Sequence, residues 1–306
     1  QALKVGDIDL AVEVPDSAFS AVSGFANVKA VSLPGRNITQ LILNSAPEDH
    51  TPTPNRNPAI TDPAVRLAIE TAINKQDLVD VVLQGNGQPG VSVIPPTLGG
   101  GFWFNSDIQP VQFSLAEANR ILDEAGYVRG ADGIREKDGV RLEFRLQFPS
   151  DQSSYPRTAD MIANWLKEVG IKATPESVDP DTLVAITNPQ ANYDIVLWGW
   201  GSDPDPDFML SVLTSEQYVE GGWSDSGYSN PEYDALYVAQ QQETDHDARQ
   251  KIVWDMQAML YRDRPYIVLY YANNLMAYRT DRFKGFIESP VGLDSFWSYL
   301  VVEPVK

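Results

Sequence analysis

Between Trp198 and Asp203 the chain sets out Trp198-Gly199-Trp200-Gly201-Ser202-Asp203. These residue types suit holding a molecule better than transforming one. Flat indoles bury ligand surface, glycines let backbone approach closely, and a carboxylate pairs with a positive group. Asp205 follows within the same acidic, proline-stiffened stretch, and Trp223 supplies a further indole downstream. Groups that would do covalent chemistry are scarce. There is no cysteine, hence no thiol nucleophile, no thiolate zinc site and no disulfide framework. The two histidines, His50 and His246, do not stand among spaced ligands, and neither a G-x-S-x-G nor an H-E-x-x-H motif occurs. The 42 acidic residues offer many carboxylate pairs of the glycoside-cleaving kind but specify none. No catalytic residue, metal or cofactor is assigned, and the expectation is a protein that is not an enzyme. A secreted hydrolase is the alternative from another functional class.

Two motif matches fail on context. Gly85-Asn-Gly87-Gln-Pro-Gly90 has the G-x-G-x-x-G spacing. However, it follows a helical pattern ending at Gln84 where a strand is required, and Pro89 removes an amide that phosphates would need. It reads as a helix stop and a loop. Asp203-Pro-Asp205-Pro-Asp207 begins like a calcium loop, but Phe208 stands where glycine is needed and Thr214 where a bidentate Glu is needed.

The site stretch must be positioned by the elements before it. Ile195–Trp198 is a continuous apolar run, as expected of a strand covered on both faces by helices, and Tyr266–Tyr271 is another. Ligands of α/β lobes bind just beyond the carboxyl ends of such strands. Trp198 is equally suited to a core, and Asp203 to capping the following helix. Arg141–Phe148 alternates Leu142, Phe144, Leu146 and Phe148, and Asp7–Val14 alternates Ile8, Leu10 and Val12 against acids, both strand patterns. Helix starts are marked at Asp62-Pro63, at Ser114-Leu-Ala-Glu117, at Asn230-Pro231 and at Thr244–Asp247. Helices alternating with buried strands predict an α/β fold.

With 306 residues the chain has material for about two domains. Its net charge of −19 disfavours nucleic acid and anionic membrane surfaces. No apolar run is long enough to span a bilayer.

The chain resembles the extracytoplasmic solute-binding proteins of the peptide type, family 5, which deliver solutes to ABC importers. The resemblance rests on Asp62-Pro-Ala-Val-Arg-Leu-Ala-Ile69 with Ala72-Ile-Asn-Lys75, on Ala118–Gly126, on Trp165–Ile171, on Tyr193-Asp-Ile-Val-Leu-Trp198, on Tyr228–Asp234 and on Pro265–Tyr270. Their order and spacing together carry it. It implies the class II periplasmic-binding-protein-like two-lobe architecture, with lobe II complete and lobe I partial. On that pattern residues 1–50 are a partial lobe I segment, 51–275 are lobe II, and 276–306 return to lobe I. The crossing segments fall near Pro47–Pro58 and Asn273–Thr280, and apolar surface that the rest of lobe I would cover is expected to be exposed or used in self-association.

The resemblance further implies an extracytoplasmic location (periplasmic or as a cell-surface lipoprotein), an ABC permease as partner and a peptide as solute. Asp203 matches the family's ammonium-pairing aspartate and Trp200 its tryptophan, with Asp205 as the reserve. The ligand-binding set is then Asp203, Trp200, Gly201, Ser202, Trp198, Asp205 and Trp223. An oligosaccharide binder of the same fold is the alternative, because sugars also stack on tryptophan and Trp198, Trp200, Trp223 and Trp103 are available.

Overall fold

The computed structural model describes residues 1–305. Its organising element is one long strand, Tyr266–Arg279, which serves two groups of strands in succession. Tyr266–Tyr270 pairs antiparallel with Asn37–Leu43. On the other side of that strand comes Ile195–Gly201, also antiparallel, followed by Glu143–Pro149 and Lys172–Val178 in parallel. From Asn273 onward the long strand pairs instead with Val28–Pro34, and Leu10–Ala11 lies on its other edge.

The larger sheet is covered on both faces. On one face Leu41, Leu146, Ile195, Leu197 and Leu269 pack under the helices Pro63–Thr71, Leu115–Glu124 and Tyr155–Glu168. On the other, Ile42, Val196 and Val268 meet Leu183, Tyr233, Val253 and Met256 from Pro180–Thr187, Pro231–Gln242 and His246–Asp263. This two-sided burial is why Ile195–Leu197 reads as an unbroken apolar run.

The expected helix starts form through local bonds. Asp62 accepts from the Ala64 amide at 2.8 Å, Ser114 from the Glu117 amide at 3.1 Å, and Asn230 from the Glu232 amide at 3.0 Å. The reciprocal half of the Ser114 capping box is missing, because the Ser114 amide bonds the Thr71 carbonyl and Glu117 pairs with Arg120.

Four expectations need correction. The strand over Asp7–Val14 shrinks to Leu10–Ala11, with Ile8 and Val12 exposed, since only those two residues pair in ladder register with the long strand, while Asp9 and Val14 each make a single backbone bond to it. Gly87–Pro89 is a short edge strand against Tyr270–Ala272, not a loop. Three residues carry no periodicity, and an edge tolerates Pro89.

Asn37–Leu43, grouped by sequence with residues 1–50, lies in the middle of the larger sheet. The stretch Pro47–Pro58 is no crossing. Arg56 donates to Asn44 Oδ1 at 3.0 Å and the Asn57 amide to Asp194 Oδ1 at 2.6 Å, which ties it to the larger sheet.

The chain crosses instead at Pro34–Asn37 and at Ala272–Asn273. These two crossings are so close that a Cβ on Gly35 would collide with the Ala272 carbonyl oxygen. Beyond the sheets, the helix Phe296–Val301 leaves Phe296, Trp297, Tyr299 and Leu300 largely in solvent.

Candidate functional site

The strand Ile195–Gly201 turns alternate residues to opposite faces. Trp198 and Trp200 therefore lie on the face of Val196, with Gln40 and Ile38 opposite them in register. Two cavities of about 530 Å³ each share Trp198, Gly199 and Trp200 as a common wall.

The first cavity is the cleft where the two groups of strands meet. Gly201, Asn37, Thr39 and Tyr270 line it from the larger sheet, Tyr155 from the helix Tyr155–Glu168 packed on that sheet, and Asp16 reaches it from the helix Asp16–Ser23 that packs on the smaller one. Gly199 is needed at this wall. A Cβ there would come within 3.0 Å of the Tyr155 hydroxyl and 3.1 Å of the Ile38 carbonyl oxygen. Burial raises the carboxyl of Asp16 above the usual range, and burial likewise raises the hydroxyls of Tyr155 and Tyr270.

The second cavity lies under the indoles, between the helix Pro180–Thr187 and the loop 219–225. Trp200 and Trp223 are edge-to-face with centroids 6.4 Å apart, and Phe208 meets both. Trp223 is more than half exposed. Trp200 is fixed by a bond from Nε1 to Asp225 Oδ2 at 2.8 Å, and the Tyr266 hydroxyl donates to the other oxygen. Burial pushes the Asp225 carboxyl up to about 6, although the Tyr266 and Trp200 bonds pull it down.

Of the residues expected in the site, Trp198 and Trp200 line both cavities, Gly201 lines the cleft and Trp223 the cavity beneath it. Ser202 and Asp203 line neither. Ser202 is buried, its amide bonded to the Arg36 carbonyl, and its hydroxyl has no partner among the described residues. Asp203 lies two residues past the cleft wall with its carboxylate 70% exposed, and its only ion pair among the described residues is a loose 3.9 Å contact with Arg36.

Asp205 is not a free reserve. Both its oxygens accept from Arg249, at 2.6 and 2.7 Å, and that bonding holds its carboxyl below the usual range. Trp103 offers no open wall either, being buried beneath the Arg249 guanidinium at 4.9 Å.

Residues 1–220 match the family model described as bacterial extracellular solute-binding proteins, family 5 middle. The chain belongs to the family 5 solute-binding proteins. Among curated relatives, Protein XP55 of Streptomyces lividans is 30% identical over 92% of this chain and 49% of its own length. Heme-binding protein A of Haemophilus influenzae is 26% identical over 98% of this chain and 51% of its own. The chain thus spans about half the length of the curated relatives it matches.

The solved oligopeptide-binding protein AppA of Bacillus subtilis, in complex with a nonapeptide, superposes with a TM-score of 0.81 at 25% identity, covering all of this chain and 57% of AppA. The fold is that of the class II periplasmic binding proteins, as expected. In this family 5 chain the sequence pattern does not announce Asp16, Tyr155, Tyr270 or Asp225. Each comes from an element remote from Trp200, and no local spacing links them to it.

Proposed function

We propose that this protein is the substrate-binding component of an ABC importer, capturing oligopeptides or dipeptides outside the cytoplasm by lobe closure and handing them to a membrane permease. The observation that carries this reading is the cleft at the switch of the long strand, walled by tryptophan and glycine on one side and reached by Asp16 from the other. A cavity where two sheet groups join through only two strand crossings is the geometry of hinge closure. The lobes are drawn by the crossings at Pro34–Asn37 and Ala272–Asn273. Asp203, with its carboxylate free of any tight ion pair among the described residues, takes the ligand's α-ammonium group, and the Trp200 side forms the wall. The nonapeptide-bound relative supports peptide as the solute, whereas a heme-binding relative of similar identity marks the family's range.

Native mass spectrometry of the full-length protein tests the solute directly, with a co-purified peptide as the expected result. N-acetylated peptides are expected to bind markedly more weakly than free ones, and equal binding overturns ammonium recognition. Trp223, exposed beside Trp200, also gives a sugar-stacking surface. A rise in melting temperature with cello- or xylo-oligosaccharides, and none with peptides, replaces the peptide reading with the oligosaccharide one.

A further inference from the structure

The cavity under the indoles has apolar walls, with Leu183, Val184 and Val196, and one acidic lining residue among those described, Asp225. Asp225 lines it, is only 9% exposed and forms no ion pair among the described residues. Each carboxylate oxygen accepts one bond, from Trp200 or Tyr266, which leaves acceptor capacity on both.

Two further polar atoms of lining residues, Ser224 Oγ and Asn188 Oδ1, are buried without a hydrogen-bond partner among the described residues. The Asn188 amide nitrogen is already directed at the Val219 carbonyl at 3.1 Å, which fixes its oxygen as the free end. No lysine, arginine or histidine among the described residues lines the cavity. Buried polar atoms are normally satisfied, and a buried carboxylate is normally paired. Spare acceptor capacity on Asp225 and Asn188, a Ser224 hydroxyl able to accept, and a negative charge with no cation among the described residues, beside apolar walls, are complementary to a positively charged donor on an aliphatic stem.

We propose that this cavity is a charge-selecting pocket for a basic side chain of the captured solute, with Asp225, Asn188 and Ser224 receiving its guanidinium or ammonium head. The stem lies along Leu183, Val184 and Val196, and the indole of Trp200, held by Asp225, closes the pocket toward the cleft. Selection of a solute by this pocket rests on the solute-capture reading above, but cation binding in the pocket does not.

The pocket is tested first without a peptide. Titration of the full-length protein with n-butylguanidinium, followed by tryptophan fluorescence, is expected to saturate, while the neutral isostere n-butylurea gives no response. Asp225→Asn is expected to weaken guanidinium binding by about tenfold or more. Val184→Lys, at an exposed rim position that leaves the core intact, is expected to weaken it similarly. Equal responses to the two probes, or unchanged binding in both variants, overturn the pocket.

The second arm uses tripeptides with arginine or its neutral isostere citrulline at each position in turn. Arginine is expected to be preferred at one position by about tenfold, a preference lost in Asp225→Asn. If peptides bind without any such preference, the pocket's role in selection falls and peptide capture stands. If n-butylguanidinium binds and no peptide does, peptide capture falls and the pocket stands.

Discussion

Trp200 Nε1 donates to Asp225 Oδ2 at 2.8 Å, so the indole that walls both cavities is held by a carboxylate 25 residues further along the chain. The carboxylate is buried, and no cation among the described residues lines the cavity beside it. Wall geometry and a buried charge are thereby coupled.

That coupling has a pH signature. The Asp225 carboxyl titrates near 6 in the folded state, above the ordinary value of about 4 that it takes when unfolded. The folded state therefore binds the extra proton between these values, and this group's contribution to stability falls as pH rises from about 4 to about 6. The loss is on the order of 3 kcal/mol. Asp225→Asn removes the ionisation, so its stability relative to the parent protein is expected to be higher at pH 7 than at pH 4. Urea denaturation at the two pH values measures it, and an unchanged difference rules the coupling out.

Asp203 and Asp205 are expected to separate cleanly. In the full-length protein, Asp203→Ala should cost on the order of 2–5 kcal/mol of peptide affinity once closure desolvates the pair. Asp205→Ala breaks the two bonds to Arg249 instead and should cost at most about 1 kcal/mol of stability, with affinity preserved. Calorimetry of both variants against a peptide pool decides. Lost affinity in Asp205→Ala alone would reverse the assignment.

Gly35→Ala addresses the hinge. The added methyl meets the Ala272 carbonyl where the two crossings touch, so the backbones must move apart. A destabilisation of about 1–3 kcal/mol is expected, read by chemical denaturation. Small-angle scattering of the ligand-free protein should show altered lobe separation, and a variant identical to the parent in both measurements refutes the contact.

Glu70 holds the larger lobe together at the ends of two helices. It is buried and pairs with Lys75 at 2.9 Å and Arg264 at 2.7 Å. Burial alone would raise its carboxyl, but the two cations outweigh it and hold the carboxyl below the usual range. Glu70→Ala leaves both partners, themselves nearly buried, without a counter-charge. A loss of about 3–5 kcal/mol is expected from urea melts. A loss under about 1 kcal/mol is the level of an exposed pair and would remove this role.

What the sequence determined by itself was whatever depends on neighbours in the chain. The caps at Asp62, Ser114 and Asn230 are bonds over two or three residues, and residue type with spacing reveals them. The strand Ile195–Gly201, with its tryptophans on one face, follows from an apolar run and a period of two. Tertiary structure decided which of those groups are still available. Asp205 and Asp203 are near-equivalent in sequence, yet Arg249, 44 residues past Asp205, claims one and leaves the other in solvent. Asp16, Asp225 and Tyr155 reach the tryptophan wall from three separate elements. Hydrogen bonds and ion pairs are short-ranged, so partners brought together only by sheet order and helix packing leave no trace in local spacing.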